Sequence, residues 1–223
     1  EHIAVIDAAQ DYFECEIASF DDDFPLVRIT RHEDATDDGP LVMLVQGLAQ
    51  GEKMDSVIRH ATELGVAVFM PLTCERSIVK LDAKKTRTRL DRWCSIAKSA
   101  AMQSGQPRIP EVLEPRSAKV AASELAEATA VLICWEEAPQ TASLAQAIGR
   151  GIAECSCPRG DARIAVVVGP EGGLTEREVG FFLDANPRAS LVSLGSSILR
   201  TETAGVVAPA LTLYELGKLG GTR

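Results

Sequence analysis

Two short stretches in the last third of the chain carry residue types at spacings that can do chemistry. The first, Gly169-Pro170-Glu171-Gly172-Gly173-Leu174, follows the apolar run IAVVV and precedes Thr175-Glu176-Arg177-Glu178. There a Thr and a Glu three residues apart form the capping box of a helix start. A glycine-rich turn between a strand and a helix lets backbone approach a ligand closely and take φ > 0, so its N–H and C=O groups can read an adenine or a carboxylate. The plainer alternative is a tight turn that needs glycine for geometry alone. Neither G-x-G-x-x-G nor G-x-x-x-x-G-K-[ST] occurs, so a dinucleotide pyrophosphate and a P-loop triphosphate lack support. The second stretch, Leu194-Gly195-Ser196-Ser197-Ile198-Leu199-Arg200-Thr201-Glu202-Thr203-Ala204, leads into an apolar helical segment reaching about Leu219. Glu202 and Thr201 suit a helix start for ordinary reasons, one as a dipole partner and the other as N-cap. Arg200 at the same place is electrostatically unfavourable, and this marks it as a functional candidate.

Other reactive residues form no constellation. Cys155-Ser156-Cys157 looks like half a metal site, but no second Cys or His pair lies at zinc spacing, and His2, His32 and His60 are far apart. No metal is expected. A nucleophile-elbow G-x-S-x-G and a Ser/His/Asp set are missing, which leaves hydrolase chemistry without support. Trp93 sits at helical spacing with apolar residues and reads as packing rather than a base-stacking platform.

The elements that must position the two stretches are legible from residue 41 onward. The runs 41–46, 66–70, 130–135, 164–169 and 190–194 have the length of buried parallel strands. Between them, Met54, Val57, Ile58, Ala61 and Leu64 recur at helical steps, as do Leu90, Trp93, Ile96, Ala97 and Ala100. This alternation predicts an α/β fold, a mostly parallel sheet with helices on both faces. Ligands then bind outside the carboxyl ends of the strands, which directs attention to the loops after 135, 169 and 194. Residues 1–40 differ, with strand-like IAVID, YFECEIASF and PLVRIT, an acidic turn at Asp21–Asp23, and the linker ATDDGP at 35–40. So small a unit buries little apolar area alone; it docks on the rest or lacks the beginning of its natural domain.

Charge has the same boundary. The 223 residues carry a net −9, yet residues 1–40 hold twelve acids and two bases, leaving 21 bases against 20 acids beyond them. The stretch Lys80, Lys84, Lys85, Arg87, Arg89 and Arg92 opposes only Asp82 and Asp91. It reads either as a solvated helix face or as a phosphate-binding patch. The composition is that of an ordinary globular protein, and no apolar run is long enough for a membrane-spanning helix. No secretory leader pattern opens the chain, and the six scattered cysteines are expected as free thiols, so a cytoplasmic location is expected.

GPEGGLTEREV followed some twenty residues later by LGSSILRTETA resembles the paired signature of the 16S ribosomal RNA (uracil-N3)-methyltransferases, a family of the SPOUT class. KMDSVIRHATELGV, PLTCERS and RWCSIAKSAAMQSGQPRIPEV resemble that family's central region, so the likeness spans about 41–215. The resemblance implies a C-terminal trefoil knot, S-adenosylmethionine as cofactor, a uridine N3 in 16S ribosomal RNA of the small subunit as target, and a homodimer. It divides the chain into a partial PUA-like barrel, 1–40, and a SPOUT methyltransferase domain, 41–223. Carried over by position, the cofactor-binding residues are Cys134, Trp135 and Glu136; Gly169, Pro170, Glu171, Gly172 and Gly173; and Leu194, Gly195, Ser196, Ile198, Leu199, Thr203 and Ala204. Arg200 and Glu202 become the catalytic candidates, with Arg200 stabilising charge on the uracil and Glu202 orienting Arg200 or taking a proton. Lys80, Lys84, Lys85, Arg87 and Arg89 become RNA contacts. Three positions depart from the family: Ser197 and Gln106 stand where basic residues are usual, and Pro209 falls inside the last helix. The competing readings are a non-catalytic RNA-binding assembly factor on the same scaffold and an enzyme using another adenine-bearing ligand. Retention of both glycine-bearing motifs favours catalysis.

Overall fold

The apolar runs beyond residue 40 pair in parallel, and their alternation builds two half-cores. In the computed structural model, which describes residues 2–7, 11–33, 39–138 and 141–221, the strands β4 (Leu41–Gly47), β5 (Val68–Thr73), β6 (Glu111–Val112), β7 (Arg116–Ser117), β8 (Ala130–Cys134), β9 (Arg163–Val168) and β10 (Ala189–Val192) form one sheet. Its order is β10-β8-β9-β4-β5-β6, with β7 also on β5, and every ladder is parallel. Successive side chains of a strand point to opposite faces. Val42, Leu44, Leu132, Ile164 and Val166 accordingly pack on one face, and Val45, Val131, Ile133, Ala165 and Val167 on the other. The first face is covered by α1 (Lys53–Leu64), α2 (Ala83–Ser104), α4 (Leu144–Cys155) and α6 (Thr201–Glu215), the second by α3 (Ala118–Glu124) and α5 (Glu176–Ala185). Both faces are thus buried, as near-continuous apolar strands require.

The expected strand over 66–70 lies instead at 68–73 and continues through Pro71. Lacking an N–H, it cannot feed an edge ladder. It falls in the gap between two short partners, β6 opposite Val68 and Phe69, and β7 opposite Leu72 and Thr73. Trp93 is buried in the first half-core, as its helical spacing indicated. Gln106, at one of the positions that depart from the family, has a structural role: its amide donates to the Glu63 carbonyl (2.8 Å) at the end of α1. Pro209 lies in the interior of α6, not at its start. The helix therefore lacks the donor that would serve the Gly205 carbonyl.

Residues 2–33 form a separate antiparallel sheet of β1 (His2–Ile6), β2 (Tyr12–Asp21) and β3 (Phe24–Glu33). The hairpin between β2 and β3 turns at Asp22, which takes φ 51°, a conformation Asp tolerates better than most residues. Of the linker expected at 35–40, residues 35–38 lie outside the described residues.

Candidate functional site

Four adjacent strands, β10-β8-β9-β4, end on the same edge of the sheet, and three loops leaving that edge surround one cleft with the start of α6. The cleft holds about 540 Å³, within the range of small-molecule sites. Of the site residues expected within 134–136, 169–173 and 194–204, only Gly172 and Thr203 stay off its wall. Ser196 to Leu199 line it, and their backbone N–H groups donate to no backbone acceptor among the described residues.

A hydrogen-bond relay fixes the loops relative to one another. Gln46, buried at the end of β4, donates through Nε2 to Thr201 Oγ1 (2.9 Å), and Thr201 Oγ1 donates to the Gly169 carbonyl (2.6 Å). Thr201 is therefore the first residue of α6, not its cap; Arg200 holds the cap position and makes no capping bond with its side chain. Close approach explains two glycines here: a Cβ on Gly47 would run into the Pro170 nitrogen, and one on Gly205 into Gln46 Oε1. The glycine-rich loop is also held from behind. Arg76 Nη1 reaches the carbonyls of Gly172 and Leu174 (both 3.4 Å) and Glu137 (2.9 Å), and Trp135 Nε1 donates to the Leu174 carbonyl (3.1 Å). Gly172 faces this support, since a Cβ there would lie 2.8 Å from the Arg76 carbonyl oxygen. The capping box read from Thr175 and Glu178 is present, and the second oxygen of buried Glu178 accepts from the Glu75 N–H (2.9 Å).

The electrostatics of the cleft centre on a residue that sequence reasoning missed. Lys53 opens α1 and places Nζ 2.9 Å from Glu171 Oε1 and 3.5 Å from Glu202 Oε2. The expected pairing of Glu202 with Arg200 is not made; Lys53 takes that place, and the exposed Arg200 guanidinium has no partner among the described residues. The signal available in the sequence was the one that singled out Arg200, a cation in the first turn of a helix. The hydrogen bond to Glu171 raises the Lys53 pKa above its usual value. Burial would raise Glu171, but the Gln50 N–H and Lys53 outweigh it and hold the carboxyl below its usual value. Burial pushes the Cys134 thiol up to about 12, so Cys134 lines the cleft as a neutral group. Lys53 and Arg200 face Glu136, Glu171 and Glu202, a balance of one negative charge that suits a ligand with net positive charge.

A second, wider cleft of about 1190 Å³ opens between the starts of α1 and α2. Lys80, Lys84, Lys85 and Arg89 of the basic stretch line it together with Arg92, whereas Arg87 does not. Arg92 is committed to buried Asp55, with Nε and Nη2 at 2.7 and 2.6 Å from one carboxylate oxygen. The two clefts share a wall, because Gly51 and Glu52 line the second and Lys53 the first. Among the described residues no group of three or more His, Cys, Asp or Glu side chains is arranged to hold a metal ion. No helix among them is long and apolar enough to cross a membrane.

Residues 38–213 match a family described as an RNA methyltransferase domain. The chain is 33% identical over 220 residues to the ribosomal RNA small subunit methyltransferase E of Bacillus subtilis (strain 168), covering 97% of this chain and 84% of that one. It is similar in structure, with a TM-score of 0.77 and 27% identity, to a ribosomal RNA small subunit methyltransferase E from Neisseria gonorrhoeae bound to S-adenosyl methionine, over 96% of this chain and 83% of the other. A methyltransferase from Legionella pneumophila in complex with the same cofactor gives a TM-score of 0.76 at 27% identity and the same two coverages.

Proposed function

This chain belongs to the RNA methyltransferase family, among the relatives of ribosomal RNA small subunit methyltransferase E, and from that membership we infer that it uses S-adenosylmethionine to methylate small-subunit ribosomal RNA. The target atom on this reading is N3 of a uridine in 16S RNA. The observation that carries the reading is the convergence of the three motif-bearing loops on one cleft at the carboxyl edge of the sheet. The cleft fits the cofactor in kind. The loop at 196–199 on its wall spends none of its backbone N–H groups on backbone acceptors among the described residues, and the cleft's lining of one net negative charge complements a molecule that carries a sulfonium, an ammonium and a carboxylate.

When bound, S-adenosylmethionine supplies an electrophilic methyl group, and the protein must present the base to it in line and at close range. The uracil N3 gives up a proton, which leaves negative charge over N3 and its flanking carbonyl oxygens. Arg200 meets that charge, since it is the cation on the cleft wall with no carboxylate partner among the described residues. Glu202, held by Lys53, receives the proton. Lys80, Lys84, Lys85 and Arg89 in the neighbouring cleft, with Arg87 beside them on the same helix, neutralise RNA phosphates.

The wider organisation is proposed on the same footing: residues 1–40 as part of a PUA-like RNA-binding barrel, 41–223 as the catalytic domain with a C-terminal trefoil knot, and a homodimer in solution. The function is tested by incubating the protein with small-subunit RNA and S-adenosylmethionine, then digesting the RNA to nucleosides for mass spectrometry. 3-Methyluridine is the expected product. Cofactor binding with a different methylated nucleoside would overturn the target, and absence of cofactor binding would overturn the reading as a whole.

A further inference from the structure

We propose that Lys53 is a positioning residue for methyl transfer, its single ammonium holding the glycine-rich loop and the carboxylate of Glu202 in register. This rests on the reading of the cleft as the methyl-transfer site. Lys53 is the first residue of α1, where the partial positive charge of the helix end disfavours a cation, so its placement calls for compensation. Two carboxylates supply it. Nζ bonds Glu171 Oε1 at 2.9 Å and lies 3.5 Å from Glu202 Oε2. Glu171 Oε1 also accepts the Gln50 N–H at 2.9 Å, so one oxygen of the cofactor loop is pinned by two donors from the connection between β4 and α1.

Glu202 Oε2 is closed off from solvent, with the Lys53 ammonium 3.5 Å away. Lys53 is the only cation paired with it among the described residues. With that ammonium removed, Glu171 and Glu202 become two carboxylates near one another on a half-enclosed wall. Their repulsion favours protonating one of them or separating the loop from α6. Either change reaches the chemistry, since Glu202 must be ionised to take a proton and the loop must be closed to hold the cofactor. Three segments far apart in sequence thus depend on one nitrogen, and Lys53 acts through Glu171 and Glu202 rather than by touching the base.

The test compares Lys53→Met and Lys53→Arg with the wild type in the full chain. In Lys53→Met, cofactor affinity by calorimetry falls several-fold and kcat falls about tenfold or more with little change in KM for RNA. The acid limb of the kcat profile moves up by about one pH unit. Lys53→Arg recovers most of the rate and restores the limb. Hydrogen exchange on the cofactor-free Lys53→Met protein is faster over 169–174 than in the wild type. If Lys53→Met loses structure, a double-mutant cycle of Lys53→Gln and Glu202→Gln replaces it, and strong non-additivity in kcat is expected. A Lys53→Met enzyme with wild-type rate, pH profile and loop exchange overturns the proposal, as do additive effects in the cycle. Equal rate losses in the Met and Arg variants with an unmoved acid limb also overturn it, by showing a purely structural role. Failure of the underlying reading looks different: the wild type itself then binds no S-adenosylmethionine or methylates no RNA.

Discussion

Arg200 and Glu202 stand two residues apart at the start of α6 and do different electrostatic work. Glu202 is tied to Lys53, while Arg200 projects from the cap position with no carboxylate partner among the described residues. A guanidinium left unpaired beside a cleft is free to meet charge that develops on a substrate. Arg200→Ala is expected to lower turnover about 10²-fold with cofactor affinity nearly unchanged, and Arg200→Lys to rescue only in part because a point charge does not reproduce a planar fork. Single-turnover assays on small-subunit RNA, calorimetry with the cofactor and a melting curve check this together. Thr201 carries the opposite kind of role. Its hydroxyl sits between buried Gln46 and the Gly169 carbonyl, so Thr201→Val leaves that carbonyl without its donor and the Gln46 amide with only its bond to the Gly47 carbonyl, at a cost of about 1–3 kcal/mol. Thermal unfolding should show a loss of several degrees, and an unchanged melting temperature would remove the relay from the account.

At the scale of elements, the glycine-rich loop is a part clamped from two sides. Behind it, Arg76 holds the carbonyls of Gly172 and Leu174. Gly172→Val is expected to abolish cofactor binding by pushing the loop off Arg76, because the new side chain meets backbone and not the cleft. Calorimetry showing wild-type affinity in Gly172→Val would refute that support. In front, the Lys53–Glu171 pair defines a pH window. Glu171 titrates below its usual 4.5, so its contribution is present above that value and lost as pH falls through the depressed folded pKa. Lys53 titrates above 10.5, so its contribution is complete below that value and lost as pH rises through the folded pKa. The difference in melting temperature between wild type and Glu171→Gln should therefore stay flat from about pH 5.5 to 9 and shrink in acid below about 4.5. A difference that instead changes through neutral pH would point to another group.

For the whole molecule, α6 decides how much apolar surface remains for a second copy. Of the apolar residues at and beside this helix, Leu213 and Leu216 are buried in the chain's own core. Val206 and Val207 are half-buried, and Leu211 and Tyr214 are exposed. The proposed homodimer must form on this remainder and its surroundings. Light scattering at micromolar concentration is expected to report twice 23.8 kDa, and a species of monomer mass alone would rule it out.

The sequence by itself determined the parallel α/β architecture, because buried strands need unbroken apolar runs and helices need three- and four-residue spacing, and both patterns are local. It determined the capping box at Thr175 and Glu178, and with it the place of the glycine-rich loop, for the same reason. The strands of two residues at 111–112 and 116–117 were too short to leave a period, and the strand at 68–73 continues through Pro71 because its missing N–H falls in a gap that only the neighbouring strands define. The partners of the site residues were likewise beyond reach. Gln46 meets Thr201 across 155 residues, and Lys53 meets Glu171 across 118. Contacts at such separations are set by how the sheet is ordered and how α6 lies against the end of β4. Tertiary structure alone therefore decided that Glu202 answers to Lys53, that Gly172 faces Arg76, and that the basic stretch opens beside the candidate cleft.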